Sequence, residues 1–138
     1  MAGESTLTVD VLTPEGEVFS GEVVQVSTRT VDGELGVLAN HVPVLAGLMP
    51  NRLRLRISDS EVEEYAQSHG VLQVFANHVQ VLLEEAVPTA ELDLAALETE
   101  LSGAEQRFAD REVGEAARAV AERDLERIKA FIAIAKGE

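Results

Sequence analysis

The residues best able to do chemistry in this chain are its three histidines, and two of them sit in copies of one tripeptide. Val37-Leu38-Ala39-Asn40-His41-Val42-Pro43-Val44-Leu45 recurs with changes as Val74-Phe75-Ala76-Asn77-His78-Val79-Gln80-Val81-Leu82. Zinc accepts three histidine ligands, so His41, His78 and His69 are the set to weigh. A catalytic zinc site also needs a base and carboxylates that orient the imidazoles, and the chain has no His-x-x-x-His or His-Glu pairing. Asn tolerates the left-handed backbone, so Ala-Asn-His between apolar runs reads first as a turn or hairpin connection. No metal site is expected.

Nucleophilic and nucleotide chemistry fare no better. The serines and histidines fall into no nucleophile–base motif, and the carboxylates are scattered on polar faces, where they solvate the surface. Gly33-Glu34-Leu35-Gly36 lacks the lysine and the helix of a phosphate-cradling loop. Its two glycines are read as positive-φ residues in a loop between strands. With no cysteine, disulfides, thiolate metal sites and thiol catalysis are all excluded. The sequence therefore points to a protein with no active site of its own and no cofactor.

Something must still hold these turns in place. The 138 residues are 46% apolar, enough for a real core in one domain or one domain with a smaller appendage. No apolar run approaches the roughly 20 residues of a membrane span, and Met1-Ala2-Gly3-Glu4 lacks the basic-then-apolar order of a signal peptide. The expectation is a chain that stays in the compartment where it is made, without direct membrane insertion. Its net charge is −14: residues 1–88 carry 4 basic and 13 acidic side chains, residues 89–138 carry 7 and 12. Neither half offers the positive field that nucleic acid or an anionic bilayer requires.

The two halves differ in period. From Leu7 to Glu84 apolar side chains alternate with polar ones, as in Leu7, Val9, Val11 and most clearly in Arg52-Leu53-Arg54-Leu55-Arg56-Ile57. Thr13-Pro14-Glu15-Gly16, Asp32-Gly33 and Asp59-Ser60 are turns, and strands are expected near Val62–Ala66, Val71–Phe75 and Val79–Leu83. One-sided short strands separated by turns predict an antiparallel sandwich or barrel over residues 1–88. At Pro88 the spacing becomes helical. Leu94, Leu97, Leu101, Ala104 and Phe108 form one stripe with Asp93 as its cap, and Ala117, Ala121, Leu125, Ile128 and Ile132 form a second with Asp110 as its cap. The short joint predicts an antiparallel two-helix hairpin over residues 89–138. Its alanine-rich seam buries little area, which suits an element that can switch.

Gly33-Glu34-Leu35-Gly36, then His41-x-Pro43, then Pro50 and Arg54, resembles the signature of epsilon subunits of F-type ATP synthases. Gly70–Glu84 is similar to that family's second signature, and Leu92-Asp93 opens the first helix as the family's helices open. The likeness runs from Leu7 to about Lys136. It implies an α+β fold: a β-sandwich of about ten strands followed by a two-helix C-terminal domain. It also implies a non-catalytic rotor subunit that binds gamma and the c-ring, couples proton flow to ATP synthesis, and inhibits hydrolysis when its helices reach the alpha/beta head. The expected location is peripheral, on the cytoplasmic face of the bacterial membrane. By the same likeness Glu34 is the candidate c-ring contact, and His41 and Pro43 lie in the neighbouring loop near gamma and the c-ring.

Departures from the family pattern sharpen the expectations. Asn40 and Asn51 stand where glycine is common, and both tolerate positive φ. ATP-binding members carry Ile/Leu-Asp-x-x-Arg-Ala at the first helix; here Leu92 and Asp93 match, but Ala96 replaces the arginine that would meet phosphate. The motif is incomplete, and the expected cofactor is none. The competing readings are a free-standing sensor of ATP or another small ligand, and a hydrolase or metalloenzyme with an unrecognised site. Co-purification with gamma and c subunits separates the rotor reading from both.

Overall fold

The computed structural model describes residues 5–138, which divide after Pro88 into two compact units. The first unit is a ten-stranded β structure: β1 (Leu7–Thr13), β2 (Gly16–Val23), β3 (Gln25–Thr30), β4 (Gly33–Val37), β5 (Val44–Leu48), β6 (Asn51–Arg56), β7 (Val62–Gln67), β8 (Gly70–Phe75), β9 (His78–Leu83) and β10 (Ala86–Pro88). Hydrogen bonding runs in the order β10-β7-β6-β3-β5-β8-β9-β1-β2, and β4 pairs with β3. Alternation does what it predicts. Leu7, Val9 and Val11 of β1, Leu53 and Leu55 of β6, and Val79 and Val81 of β9 are all buried in one shared core. Burying a leucine of this kind is worth about 1.5–3 kcal/mol. The arginines between them on β6 face outward, where Arg52 and Arg54 share Glu64 of β7 and Arg56 meets Asp59.

Among the described ladders one departs from antiparallel pairing. β1 and β9 run parallel, Thr8 opposite His78 through Leu12 opposite Leu82. A residue pattern within one strand sets its faces but not the direction of its neighbour, so this pairing could not be read from alternation. Pro88 ends the unit inside β10, at the end of the strand order, where its missing N–H breaks no inner ladder.

The second unit begins with a single 3-10 turn, Thr89–Glu91, followed by α1 (Leu94–Ala109) and α2 (Glu115–Ala135). Asp93 caps α1 as expected, its carboxylate accepting from the amide of Ala96 at 3.2 Å. Asp110 does not cap α2. It closes α1 instead, and Gly114 stands at the start of α2 without a side-chain cap. Ion pairs Glu100–Arg127 (2.9 Å) and Arg107–Asp124 (3.6 Å) join the helices in antiparallel order. The seam also differs in detail: Phe131 and Ile134 are buried where the expected stripe had Ile132, and Phe108 and Ala117 are exposed. Phe108 lies under the guanidinium of Arg118, 5.9 Å from the ring centre.

Candidate interaction surface

The repeated Ala-Asn-His segments come together in space. Ala76 (φ 51°) and Asn77 (φ 60°) form the two-residue connection of the β8–β9 hairpin, both left-handed, as tight hairpin turns require. Asn40 (φ 65°) makes the matching bend between β4 and β5. Asn77 then grips the other turn: its side-chain oxygen accepts from the Asn40 backbone amide at 2.6 Å, and its side-chain nitrogen donates to the Asn40 side-chain oxygen at 3.4 Å. The Asn77 carbonyl accepts from the amide of Thr8, tying in β1. The Asn-to-Asn clasp was not foreseen; the repeated Asn was the signal available for it.

The histidines serve separate ends. His41 turns its Nδ1 to the carbonyl of Val42 at 2.7 Å. His69 is buried just before β8. His78 meets Asp10 of β1 at 2.6 Å, and Asp10 also accepts from the Ser20 hydroxyl at 2.7 Å. Those two bonds, that of Ser20 first, hold the Asp10 carboxyl below its ordinary range. Asp10 stands between serine and histidine, so no imidazole is placed to take the serine proton, and the trio is a cross-strand strut rather than a nucleophile with its base. Among the described residues no group of three or more His, Cys, Asp or Glu is placed to hold a metal ion.

Glu34 is exposed but is not in a turn. The β3–β4 turn is Val31–Asp32 with Gly33 (φ 122°) closing it, and Glu34 lies in β4 opposite Arg29. Gly36 is likewise a strand residue with no positive φ, and Asn51 opens β6 with an ordinary φ. Those loop expectations are corrected by the length of the β3–β4 ladder, which begins at Gly33 and runs to Val37. His41 and Pro43 do lie in a connection, between β4 and β5, with Pro43 exposed and His41 half-buried. In the helical unit Leu92 is half-buried and its amide donates to the carbonyl of Thr89. The Asp93 carboxylate is engaged as a helix cap, and Ala96 is exposed.

An apolar face flanks the turns. Leu45 of β5 is 76% exposed and Phe75 of β8 is 64% exposed, with Val42, Val71 and Leu82 also in solvent. Pro43, Leu45, Gln73 and Phe75 line a shallow depression there. Sequence reading passed over this face, although Val71 and Phe75 run out of phase with the buried Leu72 and Val74 on the same strand.

The family model described as ATP synthase, Delta/Epsilon chain, beta-sandwich domain matches residues 6–89. An ATP synthase epsilon chain of Persephonella marina is 42% identical over 104 residues, 75% of this chain and 76% of that one. Another, of a Sulfurihydrogenibium species, is 35% identical over 130 residues, 94% of this chain and 97% of that one. Among solved structures, a chain of the Euglena gracilis mitochondrial ATP synthase superposes with a TM-score of 0.77 at 25% identity, over 96% of this chain and 83% of that chain. A chain from the central stalk and c-ring of the Tetrahymena thermophila enzyme shares the fold, with a TM-score of 0.65 at 14% identity over 97% and 99%.

Proposed function

Because the chain belongs to the ATP synthase delta/epsilon family, we propose that it works as a non-catalytic central-stalk subunit of a proton-driven rotary ATP synthase. One observation carries this reading: a near full-length likeness to epsilon chains coincides with an outer sheet face that leaves Leu45 and Phe75 in solvent. Grouped apolar side chains on a surface mark protein contact. In this reading the sandwich docks on gamma through that face. The segment with Glu34, His41 and Pro43 meets the c-ring, and the clasp between Asn40 and Asn77 keeps its backbone fixed under load.

The helical unit restrains ATP hydrolysis in the alpha/beta head. Apart from its charged pairs, the helical unit buries Leu97 and Ala104 of α1 and Ala121, Ile128, Phe131 and Ile134 of α2, a short set of contacts compatible with rearrangement. Among the described residues no helix is long and apolar enough to cross a membrane, so attachment to the cytoplasmic face runs through the partners.

Reconstitution tests each part. Glu34→Lys is expected to impair proton-driven synthesis in membrane vesicles while the subunit folds and assembles; unchanged synthesis refutes the placement of Glu34. A chain stopped after Pro88, which keeps β10 whole, is expected to bind gamma and support synthesis, with hydrolysis equal to or above that of the intact complex. Loss of gamma binding by this folded unit removes the docking role, and lower hydrolysis in an assembled complex removes the inhibitory one.

A further inference from the structure

The first unit concentrates its positive charge on one face. Residues 1–88 hold four basic side chains against thirteen acidic ones. All four, Arg29, Arg52, Arg54 and Arg56, sit at outward positions of the paired strands β3 and β6, alternating with buried Thr28, Leu53 and Leu55. Register places Ser27 between Gly36 on one side and Arg54 on the other. The middle of this face therefore has a floor of two small residues and walls of long ones. It forms an open cleft of about 450 Å³ lined by Ser27, Arg29, Glu34, Gly36, Arg52 and Arg54.

Glu64 sets the direction of two of the guanidinium groups. Its oxygens take the Nε of Arg52 at 3.4 Å and the Nε of Arg54 at 3.2 Å. Among the described residues the terminal nitrogens of Arg54, the guanidinium of Arg29 and the hydroxyl of Ser27 have no partner. The Arg29 guanidinium, the terminal nitrogens of Arg54 and a hydroxyl over a small floor are the donor set that phosphate oxygens take. We propose that this cleft binds a phosphate group, carried either by a small soluble phosphate or by an anionic lipid headgroup. The unit as a whole is strongly acidic, which favours a compact anion over an extended acidic segment, since the latter would run out of the local positive field. Glu34, opposite Arg29 in register, opposes the anion and limits its affinity.

The proposal shares Glu34 with the rotor reading but does not require it, and is tested on the full purified chain. One arm follows amide shifts by nuclear magnetic resonance as inorganic phosphate replaces chloride at constant ionic strength. A second arm measures co-sedimentation with phosphatidylcholine vesicles with and without phosphatidylglycerol. Shifts are expected at Ser27, Arg29, Gly36 and Arg54. Arg29→Ala and Arg54→Ala are expected to weaken binding about ten-fold or more, the loss of one charge-assisted contact. Arg54→Lys, which keeps the charge but loses the fork, is expected to weaken it as well, and Glu34→Gln to strengthen it. Arg118→Ala in the helical unit is expected to leave it unchanged. Saturable binding in the first arm assigns a soluble phosphate, and binding in the vesicle arm alone assigns a headgroup. Binding in neither arm, or binding that survives equally in Arg29→Ala and Arg54→Ala, overturns the proposal.

Discussion

Replacing Gln67 with leucine keeps the volume of a fully buried side chain and removes only its polar end. In the wild type that end joins three elements. The Gln67 oxygen accepts from the hydroxyl of Thr28 on β3, and its nitrogen donates to the carbonyls of Met49 (2.7 Å) and Arg29 (3.2 Å). Gln67 is 0% exposed and Thr28 is 5% exposed, so water cannot take over. The Arg29 carbonyl keeps the amide of Met49 as a donor. The Thr28 hydroxyl and the Met49 carbonyl lose the partner that Gln67 supplies. At about 1–3 kcal/mol for the buried Thr28 hydroxyl, with a smaller addition from the half-buried Met49 carbonyl, Gln67→Leu should cost at least about 1–3 kcal/mol, a sizeable part of the 5–15 kcal/mol typical of a domain. Thr28→Val alone leaves the Gln67 oxygen without that donor and should cost about 1–3 kcal/mol. In the double variant the Thr28 hydroxyl is gone, so the combined loss should fall short of the sum by about 1 kcal/mol or more. Urea unfolding of the four chains, followed by circular dichroism, measures the cycle. A loss below about 1 kcal/mol for Gln67→Leu, or strict additivity in the double variant, would refute the reasoning.

Four further outcomes are expected. Gly70→Ala should unfold or severely destabilise the sandwich, because a Cβ there meets the Leu82 carbonyl oxygen at 2.1 Å; thermal unfolding within a degree of wild type would contradict the packing. Ala76→Gly should raise stability by roughly 0.5–1 kcal/mol, since alanine at φ 51° carries a left-handed strain that glycine relieves; a lower melting temperature would show that unfolded-state entropy dominates. Asp10 has a depressed folded pKa, so its contribution is present above the ordinary carboxylate value and lost as pH falls through the folded one. A pH series of thermal unfolding from 7 to 2 should therefore show a shallower acid loss in Asp10→Asn than in wild type, and parallel curves would count against the strut. Calorimetry should detect no tight ATP binding by the intact chain, because Asp93 is engaged with the Ala96 amide and Ala96 offers no donor beyond its backbone; micromolar affinity would show that another cationic group supplies the contact.

What could be read from the residues was what a single element determines. Alternation in Leu7–Val11 and Leu53–Ile57 fixes which face of a strand is buried, and Asp93 lies next to the amides it caps, so each was visible in a short window. Asp110 shows the limit of the same rule: a polar residue between two helices can close the first or open the second, and the backbone geometry decides it. The turn glycines show another. Gly33 takes the positive φ that its place after Asp32 suggests, whereas Gly36 lies in a ladder whose length only pairing sets.

Features built across strands were out of reach for a physical reason. The parallel β1–β9 pairing, the polar junction at Gln67 and the meeting of Asn40 with Asn77 each depend on which strands become neighbours and in what register. The arginines make the case most directly. Arg52, Arg54 and Arg56 share a face by their spacing alone, but Arg29 joins them only because Ser27 of β3 pairs with Arg54 of β6. A one-residue slip in that ladder would turn Arg29 or the β6 arginines toward the core, where Leu53 and Leu55 now lie, and an unpaired buried guanidinium is far costlier than an exposed one. The charges therefore enforce the register as well as line the cleft. The register is also what leaves Ser27 and Gly36 side by side, so the small floor and its arginine walls arise from one pairing decision rather than from separate features of the chain.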